Sequence, residues 1–307
     1  MSIFERKYRK YSGELKGRWF RIWSIATSSF RVQFSGRKII FLLIFCNIVI
    51  MAFTLMLFFI AIFIPGDITQ ILFGLFNSLD VAMYTIVNFA FNPGLIFLPI
   101  VFIATINAGT IANDKKNNSL ALYMAKPIDR IDYILGKALS IYMVSAFVTT
   151  IPWFIFLITF TLLRGFSSSE FFNTIWVYLS TLASSILVIF FFGSIVMFFS
   201  AINKQSVLTG ILTILVLYLP ILLVTIIESR LGDNGIISEI IYYFSISSLF
   251  TSAFYLVFGN PPLDESVFGI DIFMPQANGM ISIIILLVIP IMMFLFTLNK
   301  LNKDEIG

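Results

Sequence analysis

Six runs of apolar residues without one Asp, Glu, Lys or Arg divide this chain: Ile39–Ile64, Pro93–Asn113, Ala138–Leu163, Ile175–Ile202, Ser206–Ile227 and Gly279–Leu298. A helix of about twenty residues rises 1.5 Å per residue and crosses roughly 30 Å of hydrocarbon. The pattern therefore predicts an all-α integral membrane protein, a six-transmembrane-helix bundle over residues 39–307 preceded by a basic segment, residues 1–38.

Two further apolar stretches test that count. Ile240–Phe258 is apolar enough for a seventh span, but inserting it would carry Lys300 and Lys303 to the opposite side from every other basic cluster. Ile68–Phe91 is interrupted by Asp80 and ends at Asn92-Pro93, a cap and first-turn proline that start the second span afresh. Both are expected as short interfacial or re-entrant helices on the outer face. In the outer segment 228–278, Ile236, Ile240, Tyr243 and Phe244 fall at helical spacing opposite Ser238 and Ser245, which predicts an amphipathic helix lying over the bundle mouth.

Charge orients the spans. Of twenty Lys and Arg residues, all but Arg164 and Arg230 lie before the first span, between the second and third, between the fourth and fifth, or after the sixth. The positive-inside rule then places both termini and the 114–137 loop in the cytoplasm, the chain being multi-pass in the cell membrane. A net charge of +4 would suggest nucleic acid in a soluble protein. Here the excess follows topology, so no nucleic acid is expected and the basic face meets anionic lipid headgroups. Composition agrees: 59% hydrophobic and 12% charged residues, against about 25% charged in soluble domains. The first span is too long, and its basic lead too long, for a cleavable signal peptide. Cys46, alone, lies within that span and reads as packing.

Within the basic lead, Leu15, Trp19, Ile22, Trp23, Ala26 and Phe30 share one helical face, and Lys16, Arg18, Arg21, Ser24 and Ser28 the other. An N-terminal amphipathic interfacial helix of this kind lies among headgroups, indoles at the interface and cations on phosphate. It serves either as a topological anchor or as a mechanical element.

The loop Asn113–Lys137 reads NDKKNNSLALYMAKPIDRIDYILGK. Ser119 suits the N-cap of a short helix through Leu120, Leu122, Tyr123 and Met124; Pro127 ends it, and Asp129 suits the cap of a second helix leading into the third span. Exposed Leu, Tyr and Met at a basic surface make a candidate knob for another protein.

These residues resemble the second inner loop of the membrane subunits of type-2 ABC transporters. That loop carries an acidic residue, Gly-Thr-Leu, a short hydrophobic helix, Pro-Ile/Val-Ser-Arg and Gly-Lys. Asp114, Asn118-Ser119-Leu120, Pro127-Ile128-Asp129-Arg130 and Gly136-Lys137 occupy those places, with Asp for Glu, Asn-Ser for Gly-Thr and Asp for Ser as departures. The resemblance extends in outline to the amphipathic helix, six spans and long outer segment. It implies that Asp114, Ser119, Leu120, Leu122, Tyr123, Met124, Pro127 and Arg130 couple to an ATPase subunit. It also implies two ATPase copies carrying ATP and Mg, a second permease subunit as homodimer or heterodimer, and export of an amphiphilic or small-molecule substrate.

No Gly-Lys-Ser/Thr phosphate loop, no histidine and no carboxylate within the six runs occurs, so the chain is expected to bind no cofactor of its own and to be no enzyme. A non-transporting membrane scaffold or regulatory subunit that docks a cytoplasmic partner remains a second reading, and an ion-coupled carrier using Asn, Ser and Thr oxygens a third. Ala104, Ala108 and Ala112, beside Gly109, form a small-residue stripe suited to close helix packing, with a gating seam as the alternative. Pro152, Pro220 and Pro290 are expected to kink their spans. Asn47, Asn107, Ser184, Ser185, Thr209 and Thr213 are candidates for interhelical hydrogen bonds.

Overall fold

The structure is a computed structural model describing residues 17–36, 40, 41, 44, 45, 48, 83, 84, 87, 98–119, 128–163, 168–231, 240–259 and 277–303. The regular elements among them are helices: α1 (Arg18–Phe34), α2 (Leu98–Asn107), α3 (Gly109–Lys116), α4 (Arg130–Val148), α5 (Thr150–Leu163), α6 (Ser168–Ile202), α7 (Ser206–Leu231), α8 (Ile246–Val257) and α9 (Gly279–Lys303). Among the described residues, Arg130–Thr159, Thr174–Ile202, Ser206–Val224 and Gly279–Leu301 are long and apolar enough to cross a membrane. The first expected span and the expected outer-face helix at 68–91 lie almost wholly outside the described residues.

The long helix α6 is the hub, packing against α2, α3, α4, α5, α7, α8 and α9. Its aromatic ridge explains why. Phe191 and Phe192 each meet Phe250 of α8, at 5.3 and 5.4 Å between ring centroids, and Phe250 in turn meets Phe254 at 5.4 Å. All four rings are buried; truncating one such Phe to Ala typically costs about 3–5 kcal/mol. Toward the outside, Leu215, Leu219, Leu222 and Ile226 of α7 and Ile284, Leu287, Val288, Ile291 and Leu295 of α9 leave broad apolar stripes exposed. Stripes of that extent suit a hydrocarbon solvent.

Of the helix expected over the bundle mouth, Ile236 and Ser238 lie outside the described residues, and the described part departs from that pattern. Tyr243 and Phe244 form a turn, Ser245 caps α8 by accepting from the Ser248 N–H, and Ile240 and Phe244 stay exposed. The serine expected on a polar face is the helix's starting cap. The helix it starts buries Leu249, Phe250, Ala253 and Phe254 in the core. Its far end is held by α6, where Ser180 Oγ donates to Val257 O at 2.8 Å. A Cβ on Gly279 would come within 2.7 Å of Ser252 O, so glycine lets the start of α9 press against α8. Twelve residues rise about 18 Å, short of a crossing.

The third expected span begins earlier than its apolar run. Helix α4 starts at Arg130, eight residues before Ala138, and ends at Val148, with Thr149 between it and α5. Pro152 accounts for the interruption: it has no N–H, and its ring would meet the carbonyl of Val148 in an unbroken helix. Pro220 and Pro290, by contrast, lie inside the unbroken helices α7 and α9. The second expected span is two helices, α2 and α3, parted at Ala108. Ala104, Ala108 and Ala112 are all buried there, and a Cβ on Gly210 of α7 would lie 3.8 Å from that of Ala108.

Candidate functional site

Ion-paired side chains come together where α1 crosses the start of α4, next to the connection between α3 and α4. Helix α1 packs chiefly on α4. Ile22, Ile25, Ala26, Ser29 and Gln33 recur at intervals of three and four and form its buried stripe. Gly136 makes the crossing possible: a Cβ there would lie 2.7 Å from Ile25 Cβ and 3.0 Å from Ile22 O. The glycine of the Gly136-Lys137 pair therefore has a packing role that needs the absence of a side chain.

The cations of α1 have a partner that the sequence reading did not foresee. Arg18 and Arg21, exposed and half-buried, both reach a carboxylate of α4. Arg18 Nε donates to Asp132 Oδ1 at 2.6 Å, and Arg21 Nη2 lies 3.3 Å from Asp132 Oδ2. Asp132, in the first turn of α4, is fully buried. Positions 18, 22, 25 and 29 follow one another every three or four residues, so the stripe that buries Ile22 brings Arg18 along. The bond from Asp132, reinforced by its charge, pushes the Arg18 guanidinium above its already strongly basic value. The expected interfacial set also divides. Trp19 and Trp23 are exposed, 82% and 52%, whereas Ile22 is buried and Phe30 packs, tilted, against Phe34 at 4.4 Å beside Phe147 of α4.

Asp114 organises the loop. Its Oδ2 accepts from Tyr133 Oη at 2.8 Å and lies 2.6 Å from Lys137 Nζ, while the single Ser119 hydroxyl proton is shared between Asp114 O at 3.1 Å and Oδ1 at 3.3 Å. Asn118 adopts a left-handed conformation, φ 54°, which asparagine tolerates, and this turns the chain back after α3. The side chain of Lys137 is 5% exposed. Asp132, Tyr133 and Lys137 thus bring buried polar chemistry into the first two turns of a helix long enough to span, where the apolar run alone placed none. Asp129 sits at the N-cap of α4 without a side-chain cap bond, and Arg130 begins the helix. Leu120, Leu122, Tyr123, Met124 and Pro127 lie outside the described residues.

Beside this cluster, the break at Ala108 is bonded from three sides. Asn107 Nδ2 donates to Ser145 Oγ of α4 at 3.2 Å; Gln33 Nε2 of α1 donates to Thr110 Oγ1 at 2.6 Å; and Ser200 Oγ of α6 accepts from the Ile111 and Ala112 N–H groups, both at 2.9 Å. A cavity of about 170 Å³ lies between α1, α3 and α4, with Ser28, Gln33, Thr110, Asn113, Asp114 and Lys137 on its wall. The arrangement suits mechanical linkage more than chemistry on a bound group: each carboxylate is engaged by basic or hydroxyl side chains. Among the described residues no group of His, Cys, Asp and Glu is placed to hold a metal ion.

Sequence reasoning singled out Asp114 and the Gly136-Lys137 pair but missed Asp132, Tyr133, Gln33 and Ser200 as structural centres. Asp132 and Tyr133 stood inside the loop that drew attention, and only their burial distinguishes them from solvated residues. Gln33 and Ser200 carry no local signal, since their partners lie 77 and 89 residues away.

A protein-family model described as "ABC-2 family transporter protein" matches residues 23–303, from within α1 to the last residue of α9. No curated protein matches the chain.

Proposed function

This chain belongs to the ABC-2 transporter family, and on that premise we propose that it is the permease subunit of an ATP-driven exporter of an amphiphilic or small-molecule substrate. Family membership makes it a membrane protein and a transmembrane component of an ABC transporter. The proposal adds a separate ATPase, present in two copies with ATP and Mg, and a second permease subunit of the same or a similar kind. It also puts both termini and the loop after α3 on the cytoplasmic side of the cell membrane. Trp19 and Trp23 rest in the headgroup layer, while the same helix grips α4 through its other face.

The observation that carries this reading is the double engagement of Asp114 with Ser119 on one side of the 120–127 segment and with Tyr133 and Lys137 on the other. A loop fastened at both ends by one carboxylate transmits displacement to α3 and α4 with little slack. The Arg18–Asp132–Arg21 cluster extends the same rigid unit to α1. An ATPase pressing on Leu120, Leu122, Tyr123 and Met124 would therefore move three helices together.

Tyr123→Ala combined with Met124→Ala tests it. Removing two central anchors of a protein interface costs about 2 kcal/mol or more each. Loss of ATPase co-purification, or ATP hydrolysis without transport in reconstituted vesicles, is the expected result. Wild-type binding and transport in the double variant would reject the coupling assignment and favour a passive connection.

A further inference from the structure

The parting of α2 from α3 has no proline to cause it: residues 104–112 read ATINAGTIA. Ala108 itself has helical dihedrals, φ −54° and ψ −35°. What interrupts the helix is a side chain from elsewhere. In an unbroken helix the Ile111 N–H would donate to Asn107 O. Here it donates to Ser200 Oγ at 2.9 Å, and Asn107 O accepts from Thr110 Oγ1 at 2.8 Å instead. Ser200 Oγ also accepts from the Ala112 N–H and donates to Ala108 O, each at 2.9 Å. A hydroxyl has one proton and two lone pairs, and this one uses all three on the backbone of a single turn. Insertion of a side chain into the ladder is a recognised cause of a helix break.

We propose that Ser200 is a wedge that holds residues 107–111 in one of two hydrogen-bonded states, parted with the hydroxyl in place or continuous once α6 withdraws it. Both states pair the Ile111 N–H, with Ser200 Oγ in one and Asn107 O in the other, and the dihedrals at Ala108 are already helical. The barrier between them is a small sliding of α6 against α2 and α3 rather than an unfolding of the turn. Two details of the contact fit a part that moves as a unit. Lys115 Nζ donates to Ala201 O, the carbonyl next along α6, so α3 is fastened to the end of α6 at two points. Asp114 lies one residue before that lysine, so a change in the direction of α3 carries the loop clamp with it. Closing and parting of this joint would couple the position of α6 to that of the 117–129 connection, and only this last step rests on the transporter reading.

The test compares the full-length protein with Ser200→Ala and Ser200→Thr by amide hydrogen exchange and by a structure of each variant. With the hydroxyl removed, α2 and α3 should join into one helix, the Ile111 N–H pairing with Asn107 O, and exchange at Ile111 should stay close to wild type. Ser200→Thr, which keeps the hydroxyl, should keep the break. The wedge is overturned if Ser200→Ala leaves the helices parted, or if exchange at Ile111 accelerates about tenfold or more, as for a hydrogen bond lost without replacement. Should Ser200→Ala fail to accumulate, Ser200→Gly removes the same hydroxyl together with its β-carbon and is read by the same criteria. A joined helix whose transport per ATP hydrolysed is unchanged would leave the wedge standing and remove the link to coupling.

Discussion

The ammonium of Lys137 and the carboxylate of Asp114 lie 2.6 Å apart, joining the end of α3 to the second turn of α4 across the whole intervening connection. Because the lysine side chain is 5% exposed, little water can replace this partner as its neighbour. Removing one member of a buried pair typically costs about 3–5 kcal/mol. Asp114→Ala is expected to lower stability by that order in detergent-solubilised denaturation. Asp114→Asn with Lys137→Met should lose clearly less than the two single substitutions added together. Additive losses would mean that the two groups do not interact.

Asp132→Asn removes the anion that Arg18 and Arg21 share. Arg18 is half exposed, so water compensates in part, and the main expected effect is local: faster amide exchange across α1 with little change in α6 to α9. The pH dependence has a definite sign. The folded-state value of Arg18 is raised, so its contribution is fully present below the ordinary arginine range and lost only in strong alkali. The exchange contrast between wild type and Asp132→Asn should therefore not decline as pH rises from neutral to mildly alkaline.

Gly136→Ala places a methyl 2.7 Å from Ile25 Cβ and close to the backbone of Ile22, where neither can give way without moving α1. Overpacking of this kind costs about 1–3 kcal/mol. A lower melting temperature, with Trp19 and Trp23 fluorescence shifted by displacement of their helix, is the expected outcome. An unchanged melt would show that α1 is held more loosely than its contacts indicate.

The orientation of the chain is open to direct chemical labelling. In a Cys46→Ser background, a cysteine at Ser119 should stay unreactive toward a membrane-impermeant thiol reagent in intact cells and react after permeabilisation. Labelling before permeabilisation would invert the topology and, with it, the side on which an ATPase acts.

What sequence alone conveys here is uneven, and the unevenness has a physical cause. The ends of α6 at Ile202, α7 at Ser206 and α9 at Gly279 coincide with the ends of apolar runs, because hydropathy and local capping are short-range properties. Asn278 illustrates this: its Oδ1 accepts from the Met280 N–H at 3.0 Å, a cap written in the residue just before the helix. The start of α4 was not legible in the same way. Asp132 and Lys137 lower the apparent hydropathy of its first turns, and the groups that compensate them come from Arg18 and Asp114, remote in sequence. The same holds for α1. Its period was readable, but whether Arg18 and Arg21 point at phosphate or at a buried carboxylate depends on an acid that enters the chain more than a hundred residues later.

That separation bears on how the protein is made. Arg18 and Asp132 are 114 residues apart. At synthesis rates of about 5–20 residues per second, the arginine is finished roughly 6 to 23 seconds before its partner exists. During that interval α1 has neither α4 to cover Ile22 and Ile25 nor an anion for its guanidinium groups. The nascent helix must rest on something else, and lipid headgroups with the exposed indoles of Trp19 and Trp23 offer such a berth. Docking of α1 is then a late step of assembly, and in a chain cut short before Asp132 the helix should rest on the bilayer through its indoles and through guanidinium contacts that added salt weakens.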